Sequence, residues 1–284
     1  MADRLFENDG AGNFEISRYL SDIAFDTGGY TMSSLITDFD NDGIGDLVIG
    51  RSEPISEVLL YLSDGKPELV TRSVTVLPEG RFGLENTKHN HMGAADLNGD
   101  GNQDIIIGQT RAEPYYKGRE LQILINNGEG NFADETDARL GDQSFYSEGE
   151  AYSHGEGAVK LLDVNADGFT DIFDLRGHPF HLESAPVNAA VSIWLNDGDG
   201  SFIDVPPTVF PVVEPSHLAP YYGNSSFYSS MMRPGPIDVD NDGLIDMASF
   251  VVTNRYPDWD FGETTLYMLK ARKKLNAEDY VDDD

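Results

Sequence analysis

Short apolar runs recur along this chain, and nearly every one is bounded by a cluster of Asp, Asn and Gly. The runs at 34–37, 47–49, 58–62, 105–107, 121–125, 191–195 and 265–269 are rich in Val, Ile and Leu and span only a few residues each. That length and composition, bounded by turn formers, predicts strands rather than helices. Between the first and second run of each group lies one pattern. Residues 38–46 read DFDNDGIGD, 96–104 DLNGDGNQD, 163–171 DVNADGFTD and 238–246 DVDNDGLID. The four copies of D-x-[DN]-x-D-G-x-x-D begin 58, 67 and 75 residues apart, a tandem repeat somewhat longer than the roughly 40–50 residues of a typical propeller unit.

A second signature follows inside the repeats: NNGEGNF at 126–132, NDGDGSF at 196–202 and NDGAGNF at 8–14. Its glycines suit the positive φ of a tight hairpin, and its Phe returns the chain to the core. The first repeat has only a weaker form, Ser63-Asp64-Gly65. Each unit therefore reads as strand, acidic loop, strand, longer loop, strand, glycine hairpin, strand, which is a four-stranded antiparallel blade. An EF-hand loop opens in the same way, but it lies between helices and carries a bidentate Glu at its twelfth position. Here that position holds Ile49, Ile107, Asp174 and Ser249, so the EF-hand reading fails on context and on ligand.

These residues resemble the FG-GAP/VCBS repeats of integrin α-subunit propellers and of many bacterial secreted proteins, over nearly the whole chain. The resemblance implies an all-β propeller. Such propellers usually have seven blades, whereas four acidic loops predict four, at about 31–76, 91–139, 156–210 and 231–270. The last unit has no hairpin Phe after its third strand, and the chain opens with an orphan hairpin. The N-terminal strand, within 5–18, is therefore expected to complete the last blade, giving one domain over 1–278 and an acidic tail at 279–284. The alternatives are a part of a larger propeller, or two chains pairing half-rings.

Charge sharpens the picture. The formal net charge is −31, with 50 acidic against 19 basic residues, which makes nucleic acid and anionic lipid poor partners. The four loops alone carry 14 carboxylates, which repel one another unless a cation is present. Calcium takes six to eight oxygen ligands, and side chains at positions 1, 3, 5 and 9 with the carbonyl of position 7 can wrap it. The expected sets are Asp38, Asp40, Asp42, Ile44 and Asp46; Asp96, Asn98, Asp100, Asn102 and Asp104; Asp163, Asn165, Asp167, Phe169 and Asp171; and Asp238, Asp240, Asp242, Leu244 and Asp246. Four structural Ca2+ ions are the expected cofactors. The bland alternative is a set of solvated turns. Magnesium prefers octahedral sites that keep several waters, and zinc favours His, which these loops lack.

In an up-and-down meander the acidic loops and glycine hairpins share one face, and the longer loops occupy the other, where recognition residues usually sit. An arginine follows the second strand of every blade: Arg51, Arg111, Arg176 and Arg255. Guanidinium groups there either bind a carboxylate or sulfate ligand or pair with acids such as Glu53 and Glu113. Tyr221, Tyr222 and Trp259 are the aromatic contact candidates. No catalytic residues are assigned. The enzyme alternative is a polysaccharide lyase with His91 or His154 as base, Tyr152 as acid and Arg111 or Arg176 as clamp.

The chain has no cysteine, which rules out disulfides and thiolate metal sites. No apolar stretch approaches the ~20 residues of a membrane helix, so membrane insertion is not expected. Residues 1–10 lack the apolar core of a signal peptide. The expected function is recognition or adhesion, with a glycan or protein ligand on the face opposite the metals. An extracellular or cell-surface location is expected, with a virion surface as the alternative.

Overall fold

The computed structural model describes residues 6–16, 30–52, 55–63, 71–114, 118–143, 157–175, 191–202, 208–210, 227–241, 245–255 and 260–269. Five antiparallel sheets account for nearly all of them. A hairpin of β1 (Phe6–Asn8) and β2 (Phe14–Ile16) comes first. Three four-stranded sheets follow. The first runs β3 (Tyr30–Thr37), β4 (Asp46–Ser52), β5 (Val58–Ser63), β6 (Thr71–Val76), and the second β7 (Thr87–Ala95), β8 (Asp104–Arg111), β9 (Arg119–Asn126), β10 (Phe132–Asp134). The third runs β11 (Ala158–Leu162), β12 (Asp171–Leu175), β13 (Val191–Trp194), β14 (Thr208–Phe210). A sheet of β15 (Phe227–Ile237), β16 (Asp246–Arg255) and β17 (Asp260–Leu269) follows. The helix α1 (Thr136–Leu140) was not foreseen in the sequence.

Each acidic loop joins the first strand of a sheet to the second, as the repeat predicts. The sheets pack through their first strands, with β7 against both β3 and β11. Alternation along β8 explains how one sheet serves two neighbours, because successive side chains point to opposite faces. Ile105 and Ile107 join Val48, Leu60 and Leu62 of the first sheet. Ile106, between them, joins Val159, Ile172 and Trp194 of the third. All three isoleucines are fully buried, and each contributes about 1.5–3 kcal/mol relative to exposure. Glycine permits the close approach on the first side. A Cβ on Gly50 would lie 2.6 Å from Met92 Cε and 2.9 Å from His89 Cβ across the interface.

A buried ion pair also crosses between sheets. Arg119 Nε of β9 donates to Asp174 Oδ1 of β12 at 2.7 Å, with both side chains sealed from solvent. Gly108 leaves the room that the guanidinium occupies.

Among the described residues these sheets do not form a closed propeller. The expected N-terminal completion of the last blade also takes another form: β2 pairs with β1, and β17 pairs only with β16. The cause is local. Asn8 Oδ1 accepts from the Gly10 and Gly12 amides at 2.9 and 3.2 Å, and Asp9 Oδ1 accepts from Ala11 at 2.8 Å. The hairpin so formed places β1 at the edge of β2 that β17 was expected to fill.

Two predictions follow from this packing. Asp174→Asn strands the Arg119 charge in the interior and should cost about 3 kcal/mol or more, read as a lowered urea midpoint. His89 is fully buried, and desolvation pushes its pKa down to about 4. Unfolding releases it to about 6.5, so its stabilising effect is complete above that pH and is lost as pH falls toward 4. The loss amounts to about 3 kcal/mol, and His89→Gln should flatten the decline in melting temperature between pH 6.5 and 4.5.

Candidate metal centre

The acidic loops are shaped by their own side chains. In the first loop Asp38 Oδ2 accepts from the Gly43 amide at 2.8 Å, and Asp42 Oδ1 accepts from Ile44 at 2.9 Å. Loops two and three repeat the pattern. Asp96 Oδ2 accepts from Gly101 and Asp163 Oδ2 from Gly168, both at 2.9 Å. Asp100 Oδ1 accepts from Asn102 at 2.8 Å and Asp167 Oδ1 from Phe169 at 2.9 Å. The turn requires left-handed backbone at position 4, where Asn41, Ala166 and Asn241 have φ of 59, 56 and 55°. Asn tolerates that conformation better than other side chains do.

These turns gather the odd-numbered side chains. Oxygens of Asp38, Asp40 and Asp42 lie within 4.8 Å of one another, as do those of Asp238, Asp240 and Asp246. Calcium binds oxygen at about 2.3–2.6 Å, so ligands on opposite sides of one ion stand roughly 5 Å apart. The clusters fit that sphere. In loops two and three an amide replaces the position-3 carboxylate, and Asn98 Nδ2 donates to Asp100 Oδ2 at 3.1 Å while Asn165 Nδ2 donates to Asp167 Oδ2 at 2.8 Å. Asp242 and Leu244 lie outside the described residues.

The ninth residue has a further role that the motif did not reveal. Asp46, Asp104 and Asp171 are fully buried. Asp46 Oδ2 accepts from Phe39, at position 2 of its own loop, and Oδ1 accepts from Ser63 at the end of β5, both at 2.8 Å. Asp104 bonds Leu97 and Asn126 at 3.0 and 2.9 Å, and Asp171 bonds Val164 and Asn196 at 2.8 Å each. Asp246 Oδ2 accepts from Val239 at 3.1 Å. Burial pushes the Asp104 and Asp171 carboxyls up to about 6 despite these amides, and the acids at positions 1 and 5 push the same way. A cation would relieve both effects.

The hairpin asparagine ties neighbouring sheets together at the same peptide. Asn126 Nδ2 donates to the Phe39 carbonyl at 2.8 Å and to Gln103 at 3.1 Å. Asn196 Nδ2 donates to Leu97 at 2.8 Å and to Thr170 at 3.0 Å. In these two loops the position-2 residue is thus held at its N–H by its own loop and at its C=O by the next sheet. The hairpin Phe lies alongside: Phe132 meets Phe39 edge-on at 5.4 Å, and Phe202 packs in one core cluster with Leu97. Recurrence of Asn at the head of three hairpins, at positions 8, 126 and 196, was the available signal.

On the opposite face, Arg51 Nη1 stands 3.9 Å from Glu57 Oε2, and Arg111 stacks 4.6 Å over the Phe82 ring; Glu53 lies outside the described residues. The Glu113 amide donates to Asn86 Oδ1 at 2.7 Å. Arg255 ends β16 opposite Phe227 and Asp260. Arg176, Tyr221, Tyr222 and Trp259 fall outside the described residues, as do Tyr152 and His154 of the lyase reading. His91 Nδ1 accepts the Val159 amide at 3.3 Å, which gives that ring a contact between sheets.

Asn126→Ala removes both clamp bonds, leaving the Phe39 carbonyl with the Gly130 amide at 3.1 Å. A loss of about 1–3 kcal/mol is expected, measured by chemical denaturation.

Residues 38–107 and 96–173 match the family model of the FG-GAP-like repeat. Among solved structures, one similar chain is from the crystal structure of BBS1N in complex with ARL6DN, soaked with lead. It is 11% identical with a TM-score of 0.29, and the match covers 83% of this chain and 69% of that one. A likeness at that level carries no argument about fold or function. The repeat match does: each matched span opens on the first Asp of an acidic loop and ends in the second strand of the following sheet. Residues 38–173 therefore carry FG-GAP-like repeats.

Proposed function

We propose that the chain is a calcium-binding recognition module whose sheets are blades of a four-bladed propeller. The observation that carries the metal reading is the convergence of Asp38, Asp40 and Asp42 within one coordination sphere, matched by Asp238, Asp240 and Asp246 in the fourth repeat. FG-GAP repeats often bind calcium. In each loop the side chains at positions 1, 3, 5 and 9 and the carbonyl at position 7 would hold the ion. When bound, calcium supplies charge compensation for crowded acids and cross-links the loop; the role is structural.

Recognition of a glycan or protein falls to the opposite face, which carries Arg51 and Arg111 and the connections leading to Arg176, Tyr221, Tyr222, Arg255 and Trp259. FG-GAP repeats are typical of extracellular proteins, and millimolar calcium outside cells would keep modest sites filled. No described helix is long and apolar enough to cross a membrane.

Metal counting by mass spectrometry and thermal unfolding with calcium or excess EGTA test the reading. Four bound ions and a large fall in melting temperature on chelation are expected, since each site held at about 100 times its Kd adds roughly 2.7 kcal/mol. Asp42→Ala should remove one ion and part of the shift. Unchanged metal content in that variant would take the first loop out of the set.

A further inference from the structure

We propose that the first and second acidic loops bind calcium cooperatively, coupled by a side-chain hydrogen bond from Asn41 to Asn102 for which the next pair of loops has no equivalent residues. The inference rests on the calcium reading of the loops and adds to it which sites act together.

Asn41 holds position 4 of the first loop, between the assigned ligands Asp40 and Asp42. From its left-handed backbone, Nδ2 donates to Asn102 Oδ1 at 2.8 Å and to the Gly128 carbonyl at 3.3 Å. Asn102 holds position 7 of the second loop, the residue whose carbonyl is assigned to the ion. Its own amide donates to Asp100 Oδ1, a second assigned ligand, at 2.8 Å. One bond thus joins a turn that carries two ligands of the first loop to a residue that belongs to the ligand set of the second.

The next interface supplies the comparison. Both interfaces share the bridging hairpin asparagine, Asn126 between the Phe39 and Gln103 carbonyls and Asn196 between those of Leu97 and Thr170. At position 4, however, the second loop has Gly99, which reaches φ 74° with no side chain to donate. Position 7 of the third loop is Phe169, whose ring lies so close to Gly198 that an added Cβ there would come within 2.8 Å of it. Neither residue can form the bond that joins Asn41 to Asn102.

On an exposed turn such a bond contributes little by itself, because ordering two side chains offsets most of it. With Asp40 and Asp42 drawn onto one ion, Asn41 between them is already ordered, and Asn102 gains its partner without that cost. The result is a coupling between the two sites, reciprocal by linkage and about fivefold in affinity for a single bond. The first loop carries four carboxylates to the second loop's three, so it fills first, and the second loop feels the whole factor.

The glycine amides of the loops make site-by-site reporters, because Gly43, Gly101 and Gly168 each donate to the first Asp of their own loop. Their NMR signals are followed in a calcium titration of the full chain. Asp42→Ala should raise the calcium midpoint at Gly101 about fivefold and leave that at Gly168 in place. In an Asn41→Gly background, which copies position 4 of the second loop, the same substitution should no longer move Gly101. A Gly101 midpoint unmoved by Asp42→Ala, or one that rises equally in both backgrounds, would overturn the proposal. Should Asp42→Ala fail to fold, Asn41→Gly alone decides, since it keeps every assigned ligand: the Gly43 and Gly101 midpoints should rise together against Gly168, and no rise would overturn the coupling. Signals in the native chain that ignore calcium at all three glycines would instead overturn the calcium reading, and the coupling with it.

Discussion

Much of the structure depends on the backbone N–H and C=O of one residue per repeat, position 2 of the acidic loop. Its N–H is held by a buried carboxylate, and in the first two loops its C=O is held by an asparagine from the next sheet. A buried polar group left unpaired costs roughly 1–3 kcal/mol, so neither bond is dispensable once the sheets have packed. The same aspartate also bonds the end of the third strand in its own sheet. Loop, hairpin and neighbouring sheet are therefore fixed together, and the apolar clusters on either side of β8 pack against a frame whose spacing those bonds set.

This arrangement explains a tension within the acidic motif. A carboxylate moved into a dry interior is penalised, and in Asp104 and Asp171 burial prevails over the amides that favour ionisation. The motif keeps Asp at that position because the carboxylate has two oxygens. Each can bind one backbone amide while positions 1, 3 and 5 keep their side chains on the turn. An Asn there would offer one acceptor in place of two and would break one side of the junction.

The strands, their order within each sheet and the four loops were legible in the sequence because they follow from local rules: short β-branched runs, Asp and Gly at turns, and a repeat that recurs in register. The clamp was not, since Asn126 and Phe39 are 87 residues apart and nothing local marks them as partners. The N-terminal hairpin was misplaced for a related reason. Its NDGAGNF turn was read as leading only into a fourth strand, whereas the residues before it form β1 and take up the edge of β2. The helix α1 rests on equally nonlocal support, with Leu140 in the core and Thr136 Oγ accepting the Ile123 amide at 2.9 Å.

The two faces of the sheets carry different freedom. On the loop side all four repeats hold nine residues from the first Asp to the last, because a residue added or removed would break the bonds from position 1 to position 6 and from position 9 to position 2. The connections at the other end differ in length. The stretch between β8 and β9 covers 112–118 and that between β12 and β13 covers 176–190, so they differ twofold in length while the strands they join keep their register. Variation that would destroy packing on one side is tolerated on the other. The two ends of the sheets therefore differ in kind: one is held to a single loop length in every repeat, and the other accommodates connections of unequal length.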